Sequence, residues 1–201
     1  MDNRERIIEG AADLFRVYGI KSVTMDSLAS HLGMSKRTIY EIFADKDELL
    51  LGVLSSMAEK QKLLVIKVLD ESGNAIEAIF RLLEISRDHM QSMSPAFQAD
   101  LKKFHHEVLM KKTDKCEMPD FSSHVEVIRK GISQGLFRDD LNPDIVNRAM
   151  YAFGRYAMDN ELFPYEQFTR REIIRNVFIN YMRGISTPKG LKLINELETR
   201  F

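Results

Sequence analysis

Thr24-Met25-Asp26-Ser27-Leu28-Ala29, followed after two residues by Leu32-Gly33-Met34-Ser35-Lys36-Arg37-Thr38-Ile39-Tyr40, decides the fold. Thr24 is an N-cap residue whose hydroxyl can take a free amide of the first turn. Asp26 then lies in that turn, where negative charge suits the helix dipole. Leu28, Ala29 and Leu32 recur at the spacing of one buried face, and Gly33 supplies a stop. Gly33-Met34-Ser35 reads as a tight turn, and Ser35 as the N-cap of a further helix, Lys36 to Phe43. Ile39 and Phe43 face inward at i, i+4, while Lys36, Arg37, Thr38 and Tyr40 stay outside. Helix, glycine turn and helix at this spacing make a helix-turn-helix.

Upstream, Ile7, Ile8, Ala11, Leu14, Phe15 and Tyr18 share one helical face, with Gly19 placed for a left-handed cap. Downstream, Asp45 and Glu48, three residues apart, resemble a capping box for a long fourth helix through Leu49, Val53 and Met57 towards Leu69. Beyond Gly73, helical periodicity returns around Ile76, Phe80, Leu83 and Ile85, around Phe97, Leu101, Phe104 and Val108, and around Val125, Ile128 and Ile132. Asn142-Pro143 opens another helix with Ile145, Val146, Ala149 and Phe153. A last long one carries Phe168, Ile173, Val177, Phe178 and Tyr181, and a helical tail follows Pro188. The chain therefore reads as all-α, with a DNA-binding domain over 1–45 and a larger helical bundle over 46–201. No internal repeat points to a solenoid.

The continuation Tyr40-Glu41-Ile42-Phe43-Ala44-Asp45-Lys46-Asp47-Glu48-Leu49-Leu50 sharpens the match. Together with the two helices before it, this segment closely resembles the DNA-binding signature of the TetR family. Gly135-Leu136-Phe137-Arg138-Asp139-Asp140-Leu141-Asn142-Pro143 also looks like that family's lead-in to its dimerising helices. The resemblance implies operator DNA as partner, a homodimer formed by the last two long helices, and a small-molecule effector in the C-terminal domain. It implies phosphate contacts for Ser35, Tyr40 and Lys46. Lys36, Arg37 and Thr38 become candidates for base or phosphate contact, because a helix entering the major groove offers its N-terminal side chains to base edges. In place of the family's frequent histidine or tyrosine before the phenylalanine stands Ile42, which removes one backbone contact.

Composition narrows the alternatives. Across 201 residues the formal net charge is -1, so any nucleic-acid footprint is local. Within residues 1–50, seven lysines and arginines face nine acids. One cysteine, Cys116, allows no internal disulfide, which suits a reducing, cytoplasmic compartment. No leader-like opening and no apolar run of membrane length argue for secretion or insertion. His105-His106-Glu107 places adjacent histidines about 100 degrees apart on a helix, so they cannot ligate one metal together. No phosphate-cradling glycine loop, Cys-x-x-Cys or His-Glu-x-x-His pattern is found, so no cofactor, metal or catalytic residue is expected. Aromatic and methionine positions are by default bundle core. By the resemblance a subset lines a cavity, and Phe80, Phe104, Tyr151 and Arg155 are the candidates for ligand contact. The polar 111–120 segment, with Cys116 and Pro119, is a candidate flank for its entrance. The function expected is a repressor released from a palindromic operator by a small, largely apolar ligand. Alternatives are a constitutive or chromosome-organising DNA binder of the same fold, and a helical-bundle enzyme or carrier.

Overall fold

Asp2 opens the first helix, α1 (Asn3–Tyr18), with a complete capping box: its carboxylate accepts the Glu5 N–H at 2.8 Å and the Glu5 carboxylate accepts the Asp2 N–H. The computed structural model describes residues 2–91, 93–97, 99–101, 122–157, 159, 161–164 and 166–200. Outside the description lie the side chains of Met90, Gln91, Ser122, Ser123, Arg155 and Arg200. After α1 come α2 (Met25–Leu32), α3 (Lys36–Ile42), α4 (Lys46–Glu71) and α5 (Ala75–Gln91). Then follow α6 (Ser122–Ser133), α7 (Pro143–Ala157), α8 (Arg170–Ile173), a π-helical segment (Ile174–Ile179), α9 (Asn180–Ile185) and α10 (Pro188–Leu197). Among the described residues there is one isolated antiparallel bridge, Phe137 to Ser186, and no strand. None of the described helices is long and apolar enough to cross a membrane.

Described residues 2–63 and 85–101 form one compact unit and 64–84 with 122–200 a second, so α4 and α5 each give residues to both. In the first unit, Ile7, Phe15, Leu28, Ile39, Phe43 and Leu49 make a core with no measurable gap to solvent. Phe97, 2% exposed, belongs to it although it is distant in sequence. Its segment is tied down by two long-range hydrogen bonds: Ser94 N–H donates to the Arg16 carbonyl at 3.0 Å, and Lys21 N–H to Asp100 Oδ2 at 2.8 Å. Gly19 sits beneath that segment at φ 82°, where a Cβ would come within 3.0 Å of Ala96 Cβ and Asp100 Oδ2. Its ψ of 158° is not that of a left-handed cap, which corrects the expectation for Gly19. Tyr18 also departs from its expected burial and is exposed, because it lies on the correct face but one turn past the last core contact of α1.

In the second unit, Ile76, Phe80, Ile128, Leu136, Phe137 and Met182 are buried. Gly135, at φ 66°, ends α6 and turns the chain inward. Leu136 and Phe137 then pass the end of α9, where Thr187 N–H donates to the Leu136 carbonyl and Arg138 N–H to that of Ile185, both at 3.0 Å. Asn142 caps α7 through its Oδ1, with Pro143 at the first helical position. Ile145 is 65% exposed, and Phe168 lies exposed before the helix that Thr169 caps.

The helical stretch 170–185 buries Ile173 with Phe178 and Ile174 with Ile179, pairs five residues apart. In a regular α-helix five residues overshoot a full turn by about 140° and could not share a face. The π segment widens the turn and brings both pairs inward. Asn176 Nδ2 and Asn180 Nδ2 donate to the carbonyls four residues back, Glu172 at 2.8 Å and Asn176 at 3.0 Å. Against this segment packs α7, with the Phe153 and Tyr181 rings 4.9 Å apart.

Candidate DNA-binding surface

Two side chains close the start of α2 on itself: Ser27 N–H donates to Thr24 Oγ1 at 3.0 Å, and Thr24 N–H to Ser27 Oγ at 2.9 Å. Its end is equally determined. Gly33 adopts the left-handed conformation, φ 61° and ψ 32°, with Met34 N–H on the Ala29 carbonyl and Gly33 N–H on that of Ser30. That is the Schellman arrangement, which only a residue tolerant of positive φ completes without strain. Arg6 of α1 donates to the Leu32 carbonyl at 2.6 Å, adding a cation at the negative end of α2.

Ser35 then caps α3, its Oγ accepting Thr38 N–H at 3.1 Å and lying 2.8 Å from Thr38 Oγ1. Helix α3 ends at Ile42, one residue earlier than expected, because Phe43 turns to an extended conformation to reach the core. Ile39 is fully buried and fixes which face of α3 points out. On that outer side stand Lys36 and Arg37, the latter with its side chain 87% exposed, and Tyr40, 42% exposed. Thr38 is half-buried, its hydroxyl engaged by Ser35.

Neither cation is unaccompanied. Lys36 Nζ lies 2.7 and 3.0 Å from the two carboxylate oxygens of Asp26 and 5.9 Å from the Tyr40 ring centroid. Its hydrogen bond to the Asp26 carboxylate, and that carboxylate's charge, hold the Lys36 ammonium above its ordinary pKa. Arg37 Nε pairs with Glu41 at 2.9 Å. Asp26 and Glu41 were not among the residues expected in this surface. The available signal is a carboxylate in the first turn of one helix and a lysine opening the next, ten residues on.

Lys46 is half-buried, and its ammonium donates to the carbonyls of Val23 and, at 3.4 Å, Lys21. Burial lowers its pKa against the opposing influence of Asp100 and Asp47. Asp45 caps α4, its Oδ1 accepting Glu48 N–H at 2.7 Å, and the Glu48 carboxylate accepts Ala44 N–H at 2.7 Å.

Of the residues expected at a ligand site, Phe80 is buried in the second unit and Tyr151 is 36% exposed on α7. Phe104 lies outside the described residues, as do the Arg155 side chain, His105, His106 and the 111–120 segment with Cys116 and Pro119. An open depression of about 550 Å³ in the second unit is lined by Ile132, Gly135, Phe137, Arg138, Asp139, Asp140 and Thr187, and by none of the four candidates. Among the described residues no group of histidine, cysteine and carboxylate side chains is placed to hold a metal ion.

A capped helix, a left-handed glycine turn and a short second helix presenting a lysine, an arginine and a tyrosine define a helix-turn-helix DNA-binding unit. Residues 7–53 match the sequence profile described as bacterial regulatory proteins, tetR family. YvaF of Bacillus subtilis, an uncharacterised HTH-type transcriptional regulator, is 25% identical over 89% of this chain and 94% of its own. The HTH-type transcriptional repressor KstR2 of Mycobacterium tuberculosis is 25% identical over 72% of this chain and 74% of its own. In fold the chain is similar to a gamma-butyrolactone receptor described as ArpA-like, with TM-score 0.61, 21% identity, and 98% and 97% of the two chains covered. The match to the tetR family of bacterial regulatory proteins covers residues 7–53, the segment that holds this helix-turn-helix unit.

Proposed function

We propose that this protein is a cytoplasmic repressor that holds a palindromic operator as a homodimer and releases it when a small, largely apolar molecule occupies the helical bundle. The observation that carries the reading is the outward face of α3, where Arg37 and Tyr40 stand exposed above a fully buried Ile39. DNA recognition is assigned to residues 1–45, and ligand binding and dimerisation to 46–201. Arg37 is the base-reading candidate, and Ser35, Lys36, Thr38, Tyr40 and Lys46 complete the contact set.

A second copy is supported by α7. Its Ile145, Ala149, Ala152 and Tyr156 fall within about 60° of one another at 100° per residue. Ile145 and Tyr156 there are exposed and apolar, as an isologous interface requires. Ligand control is supported by the fold neighbour, a gamma-butyrolactone receptor. Phe80, Phe104, Tyr151 and Arg155 remain the residues assigned to the effector. Phe80 lies in the buried apolar interior, where a cavity would have to open.

Selection of duplexes from a randomised pool by the full-length chain, followed by gel-shift titration, tests the reading. A palindrome with half-sites about one helical turn apart is expected, and Arg37→Ala weakens it by about 1–3 kcal/mol. A chain that enriches no sequence, or an Arg37→Ala variant that binds the selected duplex as tightly as the parent, refutes it. A genome-wide profile with many scattered sites instead of one or a few would favour the chromosome-organising alternative.

A further inference from the structure

The two ion pairs on the outer side of the helix-turn-helix are not alike. Arg37 and Glu41 are an i, i+4 pair on one helix, of the kind that holds an exposed side chain only loosely. Asp26 and Lys36 come from different helices, and both Asp26 oxygens lie within hydrogen-bond distance of the one ammonium. The carboxylate thus stands at the head of α3, beside the residues assigned to DNA contact. A cation already satisfied there gains less from a phosphate, and a carboxylate left behind is repelled by it.

We propose that Asp26 is a specificity-determining residue: on non-matching DNA it keeps Lys36 paired, and on the matching site it accepts a hydrogen bond from an exocyclic amino group and frees Lys36 for the duplex. The proposal rests on the reading of α3 as the recognition helix. In the major groove the amino groups of cytosine N4 and adenine N6 are the donors a carboxylate can read. A duplex offering one there gives the Asp26 carboxylate a donor, whereas other duplexes leave it on Lys36 and gain no contact from that lysine. Discrimination of this kind works by penalising the wrong partner.

The test uses the full-length chain, a duplex selected from a randomised pool by the parent protein, and a scrambled duplex of the same length. Asp26→Asn is expected to tighten the scrambled duplex and to steepen its log affinity against log salt slope by about 0.9, the share of one added phosphate contact. The ratio of selected to scrambled affinity falls about tenfold. Lys36→Gln combined with Asp26→Asn abolishes the gain. An Asp26→Asn variant with parental slope and ratio overturns the proposal, as does one that weakens both duplexes equally. Arg37→Ala separates the two readings. If it leaves the selected duplex unaffected, α3 is not the recognition helix. If it weakens that duplex while Asp26→Asn changes nothing, only the role of Asp26 falls.

Discussion

Replacing Phe97 by alanine should unfold the DNA-binding unit selectively. The ring is 2% exposed within the core formed by α1, α2, α3 and the start of α4. A phenylalanine buries about 200 Å², and at about 25 cal/mol per Å² the upper bound on its contribution is roughly 5 kcal/mol. Alanine keeps the Cβ but leaves a cavity, which places the expected cost at about 3–5 kcal/mol. That is a large fraction of the stability of a typical domain. Hydrogen exchange followed by mass spectrometry reads the effect unit by unit. Amides of α1 to α3 should exchange faster by about a hundredfold or more, and those of α6 to α10 should keep their rates. Phe97→Leu, which nearly preserves volume, should cost no more than about 1.5 kcal/mol. Unaltered protection of α1 to α3 in the alanine variant, or equal loss throughout the chain, refutes the assignment of Phe97 to this core.

Ser35→Ala removes the cap of α3 and should cost about 1 kcal/mol, seen as a lower melting temperature with reduced affinity for the selected duplex; unchanged values for both would show that α3 does not depend on its cap. The Thr169 hydroxyl, and with it the Thr169 N–H, bond the Glu172 carboxylate and hold its pKa below the ordinary 4.5. Its stabilisation is therefore complete above that value and is lost as pH falls through the lower folded value. Glu172→Gln should melt below the parent at neutral pH, and the gap should close in acid; a gap of constant size rules the linkage out. Ile145→Asp combined with Tyr156→Asp should give a monomer by light scattering, and a dimer that survives at micromolar protein excludes α7 from the interface.

The helix-turn-helix was legible because its signals are local. Thr24, Gly33 and Ser35 each act within four residues of themselves, and their hydrogen bonds are those their side chains dictate. Where partners are remote, periodicity was silent. Phe97 looked like any bundle residue, and nothing near it in sequence says that it completes a core built from residues 7–53. The two carbonyls that Lys46 reaches, those of Lys21 and Val23, lie more than twenty residues earlier, and no local signal names them. Ile145 and Phe168 fitted an apolar pattern, but a pattern does not say whether a face is covered by this chain or left outside it. In the last long helix the template was itself inapplicable. A period of 3.6 joins Ile173, Val177 and Tyr181, whereas the buried positions are Ile173, Ile174, Phe178, Ile179, Met182 and Ile185.

A turn that holds one residue more than its α counterpart is, in evolutionary terms, an insertion the helix has absorbed. Deleting a residue from a helix ordinarily rotates everything beyond it by about 100° and empties the core. Between Ile174 and Ile179 the reverse holds. Loss of Asn176 brings Ile173 and Phe178, and likewise Ile174 and Ile179, to a separation of four, so the same side chains stay inward while the helix becomes regular. Relatives whose last helix is α throughout should therefore be one residue shorter between their counterparts of Ile173 and Met182. An alignment that refuses a gap there will pair buried residues with solvent-facing ones from the π segment through α9.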